Sequence, residues 1–218
     1  MPILNFSGNT FIAYIDINGF KILMKNRDKA ISTLQHFYRC GFNIIDGQLS
    51  QENKIEGFFI SDCAVLFVRD NNCANLIALK KLLDVIESLN KKMLEIDIML
   101  TNSICYGYFS YEGKLEISGT EKNQIFGDAY VEAFLDNEAG NPRIKPGECR
   151  ILIKNIPQEL NYTLSLNNEF SRIRKNGKHY YYFWMVNSNE EIEDFIKRYN
   201  DSYNLQFRGM LEALKGRS

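Results

Sequence analysis

The sequence predicts an α+β domain in which strands and helices alternate along the chain. Residues 11–15 are apolar with no turn residue among them, which is typical of a strand buried on both faces. Residues 57–68 contain two short apolar runs separated by Ser61 and Asp62, the pattern of a β-hairpin. The segments 19–47 and 73–95 repeat apolar residues at helical spacing. Together these observations predict a sheet covered by helices.

The first half of the chain has the predicted order strand, helix, strand, strand, helix, strand. The predicted bounds are 11–17 for the first strand, 19–47 for a helical region with a break near Arg27, 57–68 for the hairpin, 73–95 for the second helix after a turn and cap at 70–72, and 98–109 for the fourth strand. This order is the split βαβ, ferredoxin-like arrangement.

The second half is more varied. It contains a polar hairpin (111–122), a helix (128–138), a strand (148–154), a polar and loosely structured stretch (155–168), a hairpin (170–186) and a final helix (188–215). We assign residues 1–154 to one domain and residues 155–218 to a hairpin-plus-helix extension packed on it. The aromatic arm of the late hairpin, HYYYFWMV at 179–186, is either a buried strand or interface or a base-stacking platform.

Two acidic residues stand inside the apolar runs. Asp16 ends the first strand just before a turn that contains Gly19, and Asp62 stands in the turn of the hairpin. An unpaired buried carboxylate costs several kcal/mol, so each must be hydrogen-bonded, ion-paired or bound to a metal. Two carboxylates in a palm-type domain would hold two cations about 3.5–4 Å apart. The simpler alternatives are that Asp16 caps the following helix and that Asp62 serves only its turn.

Composition excludes several classes of function. The 218 residues are 45% hydrophobic and carry a net charge of −1, so they can bury a core but offer no basic field for nucleic acid. The five cysteines are odd in number and lack CxxC spacing, which favours a reducing cytoplasm over disulfides or zinc. The two histidines are too few for a His-based centre. We expect a cytoplasmic protein with neither a signal peptide nor a membrane span.

In three pieces the chain resembles class III nucleotidyl cyclases. DINGF at 16–20 is similar to their first-strand Asp motif, and Asp62 lies 62 − 16 = 46 positions later, where they carry a second metal-binding Asp. Gly127 precedes a helix with alanines, as their late Gly does. The nearest likeness is to short stand-alone bacterial cyclases, including the Pycsar antiphage pyrimidine cyclases, and it covers about residues 10–153.

The resemblance implies roles for the residues around the first motif. Asp16, Asp62 and the Ile17 carbonyl would hold two Mg²⁺ or Mn²⁺ ions per site. The backbone N–H groups of the turn would hold the β- and γ-phosphates of a nucleoside triphosphate. The residues of that turn are Asn18, Gly19 and Phe20.

The chain also departs from the family pattern. Ser61 replaces the usual Gly before the second Asp, and Phe58 and Gln124 stand where purine cyclases place base-reading residues. Val131 and Leu135 replace the Asn and Arg that many members carry on the late helix. Purine recognition in the usual form is therefore not expected.

These departures lead to expectations about the substrate and about the site. The substrate would be UTP or CTP, with Phe58 stacking on the base and Gln124 as a polar neighbour. Arg143 is the candidate for neutralising charge in the transition state.

By resemblance, the chain would convert a nucleoside triphosphate to a 3′,5′-cyclic nucleotide and pyrophosphate. It would act as a head-to-tail homodimer with active sites at the interface. A pyrimidine product would suit an antiphage signal that a separate effector protein reads.

Two other functions remain open. A palm with two carboxylates could make linear or cyclic oligonucleotides, although Ile60-Ser61-Asp62 replaces the Gly-Gly-Asp turn of such enzymes. A degenerate cyclase fold could instead be a binding or dimerisation module. The missing helix Asn and Arg favour that alternative, and retention of both aspartates opposes it.

Overall fold

The computed structural model describes residues 3–47, 54–69, 75–117, 120–166, 170–203 and 207–216. Its elements in chain order are β1 (Phe6–Ile17), α1 (Phe20–Leu23), α2 (Arg27–Asp46), β2 (Lys54–Ile60), β3 (Cys63–Arg69), α3 (Asn75–Leu94), β4 (Leu100–Ile117), β5 (Thr120–Phe126), α4 (Asp128–Ala139), β6 (Cys149–Leu152), α5 (Gln158–Leu166), β7 (Ile173–Asn176), β8 (His179–Tyr182), α6 (Ile192–Tyr203) and α7 (Phe207–Leu214).

One mixed sheet organises the chain. Its strand order is β2-β3-β1-β4-β6-β8-β7, and β5 pairs with the far part of β4. The neighbours β2-β3, β3-β1 and β1-β4 are antiparallel, whereas β4 and β6 are parallel. The predicted βαββαβ palm is therefore confirmed, and the C-terminal hairpin extends the same sheet through β6 and β8.

The central strand β1 is buried on both faces, as its apolar run predicts. Phe11, Ala13 and Ile15 belong to the larger core, which α2 and α3 cover. Ile12 and Tyr14 belong to a smaller cluster on the opposite face, where α4 packs on β1 and β4. Because side chains alternate along a strand, Asp16 continues the Ile12–Tyr14 face.

The helical region predicted over 19–47 is divided in two, close to the predicted break. Gly19 precedes α1 with φ 75°, a left-handed conformation that glycine adopts at low cost. Asn26 then caps α2, because its side-chain oxygen accepts a hydrogen bond from the Lys29 N–H at 3.1 Å. The predicted turn and cap at 70–72 lie outside the described residues, as does the start of the helix predicted at 73.

Three predictions for the C-terminal third are wrong. The stretch predicted to be loose over 155–168 contains α5, which buries Leu160 and Leu164, four residues apart, while residues 167 and 168 lie outside the described part of the chain. The final helix is two helices, α6 and α7. The late hairpin is shorter than predicted, because the chain leaves the sheet after Tyr182 and Trp184 donates its indole N–H to the Gly147 carbonyl at 2.8 Å.

The aromatic arm itself is mostly interior. Tyr180, Tyr182 and Trp184 are each 5% exposed or less. This burial favours the buried-strand interpretation for these three rings, whereas Tyr181 and Phe183, which alternate with them, are half-buried. Among the described residues, no helix combines the length and apolar character needed to cross a membrane.

A buried ionic network joins α4 to the sheet. Arg150 on β6 is fully buried and donates to both carboxylate oxygens of Asp136 on α4, at 2.7 and 2.9 Å. Ser103 donates to the same carboxylate, and His179 Nε2 lies 2.9 Å from it. Burial alone raises the pKa of Asp136, but the hydrogen bonds from His179, Ser103 and Arg150 outweigh it and hold that pKa below its ordinary value.

We predict that Arg150→Met destabilises the protein by about 3–5 kcal/mol, because it leaves the Asp136 carboxylate buried without its main partner. Urea unfolding followed by circular dichroism measures this change. Lys154→Met is the matched control, since the Lys154–Glu132 ion pair of 2.7 Å lies on the surface and should contribute little. Equal effects of the two substitutions would contradict the prediction.

Candidate active site

Sheet pairing brings Asp16 and Asp62 to the same edge of the molecule. Asp16 lies near the end of β1, between Cys63 on β3 and Thr101 on β4. Asp62 stands in the turn between β2 and β3, and its carbonyl accepts a hydrogen bond of 2.9 Å from the Ile17 N–H. The strand end of Asp16 and the turn of Asp62 are therefore joined through neighbouring backbone.

The turn that carries Asp62 is held from two sides. Ser61 has φ 53°, a left-handed conformation that is uncommon for a residue other than glycine. Its carbonyl accepts a hydrogen bond of 2.9 Å from the Tyr38 hydroxyl on α2. The Ile17 bond holds the other side, so both α2 and β1 fix the position of Asp62.

Asp16 sits in a strongly anionic environment. Burial is the first cause that raises the pKa of its carboxyl to about 7, and the charges of Asp62 and Glu138 raise it further. The adjacent Tyr14 hydroxyl and Cys63 thiol do not supply a cation. Burial raises the pKa values of both groups, so they stay neutral. Such a site favours a bound cation, which would relieve the repulsion between the carboxylates.

Glu138 is a residue that the sequence did not single out. It lies on α4, next to Asn137, whose side chain accepts from Thr101 Oγ1 at 3.0 Å and donates to the Tyr14 carbonyl at 3.4 Å. These bonds anchor the end of α4 on β1, the strand of Asp16, and on its neighbour β4. The only sequence signal was an acidic residue near the end of a helix, which is far too common to identify a site.

The carboxylates of Asp16 and Asp62 suit Mg²⁺ or Mn²⁺ rather than a metal that protein side chains alone must hold. Among the described residues, no group of three or more His, Cys, Asp or Glu side chains is arranged as a metal cage. Mg²⁺ is usually held by one or two carboxylates together with substrate phosphates and waters. Asp16 and Asp62 supply that number of carboxylates, and the Ile17 carbonyl lies on the same segment of β1.

The turn after Asp16 contains the predicted phosphate-binding amides. The Asn18 N–H donates to the Met99 carbonyl at 2.9 Å, which leaves the N–H groups of Gly19 and Phe20 as the candidates for a phosphate. The Phe20 side chain is buried in the larger core and anchors the turn. Helix α1 behind it has four residues, so its dipole adds little.

Phe58 lies on the same sheet face as Asp16. It pairs with Val65, which pairs with Tyr14, two residues before Asp16. The ring is half-buried and stacks on Tyr111, with centroids 6.0 Å apart and planes 23° apart. One face of the Phe58 ring is therefore covered by protein.

Gln124 and Arg143 lie elsewhere on the protomer. Gln124 is exposed on β5 opposite Glu112, and Glu112 is 112 − 101 = 11 positions along β4 from Thr101, the partner of Asp16. Arg143 is exposed in the loop after α4 and lines a cavity near the C-terminal hairpin. The described contacts do not bring either residue to the two aspartates within one protomer.

Gly127 permits α4 to pack closely on the sheet. Its φ is 137°, and a Cβ atom at this position would lie 2.3 Å from the Tyr108 carbonyl oxygen. Only glycine fits this approach. The helix that follows exposes Val131 and Leu135 to solvent, 47% and 51% respectively.

Comparison with known proteins identifies the fold. No family model matches the sequence, and no curated protein matches it. Among solved structures, the adenylyl cyclase CyaB from P. aeruginosa has a TM-score of 0.61 at 15% identity, over 85% of this chain and 97% of that chain. The guanylyl cyclase Cya2 has a TM-score of 0.56 at 11% identity, over 83% and 93% of the two chains.

A third similar structure contains a nucleotide. The guanylate cyclase domain of RhGC from Catenaria anguillulae, in complex with GTP, has a TM-score of 0.56 at 10% identity, over 83% of this chain and 97% of that chain. At these identities the likeness shows the fold alone. The predicted palm fold is thus the fold of adenylyl and guanylyl cyclase domains. In this chain, β7 and β8 belong to the same sheet as the palm strands.

We predict that Asp16→Asn raises the melting temperature in metal-free buffer at pH 8 and raises it less at pH 5. A folded-state pKa of about 7 lies above the ordinary value, so the folded protein binds this proton more tightly and loses stability as pH rises from about 4 to 7. Asparagine removes that cost, and each kcal/mol removed raises the melting temperature by about 2–4 °C.

Differential scanning calorimetry with EDTA, at both pH values, measures the effect. Asp46→Asn, at the exposed C-terminal end of α2, serves as the control. A rise that is the same at pH 5 and pH 8 would show that Asp16 does not carry a raised pKa.

Proposed function

We propose that this protein is a nucleotidyl cyclase that converts a nucleoside triphosphate to a 3′,5′-cyclic nucleotide and pyrophosphate. The observation that carries the proposal is the placement of Asp16 and Asp62 together at one edge of a cyclase-type sheet, in a site where burial and neighbouring carboxylates raise the Asp16 pKa and no cation lowers it. A structural carboxylate would have a cationic or hydrogen-bonding partner, as Asp136 has in Arg150.

Asp16 and Asp62, with the Ile17 carbonyl, would hold the Mg²⁺ or Mn²⁺ ions, two per site. When bound there, such ions lower the pKa of the ribose 3′-hydroxyl and neutralise the triphosphate. The N–H groups of Gly19 and Phe20, beside Asn18, would orient the β- and γ-phosphates.

Arg143 would neutralise charge that develops on the leaving oxygen. This role needs a cation, and Val131 and Leu135, two exposed positions of α4, carry apolar side chains that cannot supply one. Since Arg143 and Gln124 do not meet the aspartates within one protomer, both would act across a dimer interface.

A homodimer with its active sites at the interface accounts for the apolar surface of α4. Val131, Phe134 and Leu135 are 47%, 38% and 51% exposed, and Phe134 packs edge-on against Tyr14, two residues from Asp16. Clustered exposed apolar side chains mark interaction surfaces in soluble proteins. A second copy that covers α4 would also close the site against water.

The base would be a pyrimidine. Phe58 has an aromatic ring where a purine cyclase has a base-reading Lys, and Tyr111 fixes its orientation by stacking. Such a wall can stack on any base but offers no donor to a purine edge. A cyclic pyrimidine nucleotide would serve as a cytoplasmic second messenger in antiphage defence, read by a separate effector protein.

We predict that Asp16→Ala and Asp62→Ala each abolish turnover while the far-UV circular dichroism spectrum stays native. The double variant should be no less active than either single variant, because residues that act as one unit are not additive. Product formation from each of the four nucleoside triphosphates with Mn²⁺, identified by mass spectrometry, measures turnover. Asp46→Ala is the control, and appreciable activity in either single variant would overturn the two-aspartate site.

We predict that the wild-type enzyme prefers UTP or CTP to ATP and GTP, and that Phe58→Ala weakens binding of every substrate. Loss of one stacking contact costs roughly 1–3 kcal/mol, which is about 5- to 150-fold in affinity. The ratio of kcat/KM for the four substrates tests the preference. Turnover of purine triphosphates alone would exclude the pyrimidine assignment, and unfolding of Phe58→Ala would show that Phe58 serves the core.

A further inference from the structure

A second pocket lies between the C-terminal hairpin and the helices that follow it. This cavity has a volume of about 520 Å³, and its walls come from residues 142–149, from β7 and β8, and from α6, with Leu214 of α7 closing one side. Neither Asp16 nor Asp62 is among the described residues that line it. The cavity is within the range of roughly 300–1,000 Å³ that small-molecule sites occupy.

Aromatic side chains form much of the cavity wall. Phe183 at the end of the hairpin meets Phe195 of α6 edge-on, with centroids 6.2 Å apart, and Phe195 stacks on Tyr199 at 5.7 Å. Tyr181 of β8 contributes a half-buried ring from the sheet. Planar rings in a concave wall favour a planar ligand group.

The same cavity is lined by an excess of positive charge. Its basic residues are Arg143, Lys145, Arg174 and Lys175, and its acidic residues are Glu148 and Glu193, which gives 4 − 2 = +2 in a chain whose net charge is −1. The Glu148 carboxylate already accepts from the Lys145 backbone N–H at 2.7 Å.

One of these basic side chains is well placed for an anion. Arg174 on β7 donates from Nη1 alone to the carbonyls of Ser171 and Ile173, so those bonds do not use its other nitrogens. Lys175 follows it on the strand and points to the other face, where its ammonium lies 6.0 Å from the buried Tyr180 ring. A guanidinium with donors to spare is the preferred partner of phosphate oxygens.

We propose that this cavity binds a mononucleotide, with the base against the aromatic wall and the phosphate at Arg174. The aromatic rings and Arg174 line one cavity, so a ligand must carry a planar ring and an anion together to use both. The cavity does not include the aspartate pair of its own protomer, and of its lining residues the proposed reaction uses Arg143.

Isothermal titration calorimetry in EDTA, with the full chain, tests the proposal. The probes are UMP and AMP, with uridine, ribose 5-phosphate and inorganic phosphate as fragments that lack one of the two groups. At least one mononucleotide should bind about tenfold or more tightly than every fragment. Failure of both mononucleotides to bind, or equal binding of ribose 5-phosphate or inorganic phosphate, would overturn the proposal.

Variants locate the binding. Arg174→Glu should weaken mononucleotide binding about tenfold or more, whereas Lys178→Glu, at an exposed lysine of the same hairpin outside the cavity, should leave the Kd unchanged. Asp16→Asn/Asp62→Asn should also leave it unchanged. Loss of binding in the aspartate variant, with retention in Arg174→Glu, would assign the nucleotide to the other site.

A milder variant, Arg174→Gln, guards against misfolding of the charge reversal. If the reversed variant loses its native circular dichroism spectrum, the glutamine variant decides the matter. It should weaken mononucleotide binding more than Lys178→Gln does. Unchanged binding in Arg174→Gln would overturn the proposal.

Discussion

The buried ion pair between Arg150 and Asp136 is the interaction on which the candidate site depends. It joins the helix α4 to β6, and the Arg150 guanidinium also donates to the carbonyls of Asp136 and Pro142, at 2.6 and 2.7 Å. A charge that is fully buried must be satisfied on every side, and here the partners come from a helix, a loop and two strands. The network therefore fixes the end of α4 against the sheet, where Asn137 and Glu138 approach β1.

The candidate site shows the opposite electrostatic arrangement, with carboxylates that lack such a partner. Asp136 is compensated and its pKa is lowered, whereas Asp16 is crowded by two further carboxylates and its pKa is raised. Asp136 lies on α4, and Asp16 lies on the sheet face that this helix covers. Repulsion between these carboxylates lowers the stability of the protein without a bound cation, and binding of a cation would restore that stability.

The C-terminal third forms the other edge of the sheet. The hairpin of β7 and β8 pairs with β6, and α6 and α7 fold back over the loop at 142–149. Tyr199 donates its hydroxyl to the Pro146 carbonyl at 2.6 Å and so fastens α6 to this loop. The loop at 142–149 thus contacts Arg150 through the Pro142 carbonyl and also lines the cationic cavity. The ion-pair network and the cavity therefore share this loop.

Local pattern in the sequence determined the central part of the fold and the two aspartates. The apolar run at 11–15, the hairpin around Asp62 and the helical spacing of leucines act over short separations, and they predicted the βαββαβ order. Tertiary structure alone decided the partners of charged residues: Arg150 lies within a predicted strand, and nothing near it in sequence shows that Asp136 and His179 would surround it. It likewise placed Glu138 beside Asp16, stacked Phe58 on Tyr111 and separated Gln124 and Arg143 from the aspartates. These contacts join residues far apart in sequence, and their geometry depends on strand register and helix packing, which a period of two or 3.6 residues does not specify.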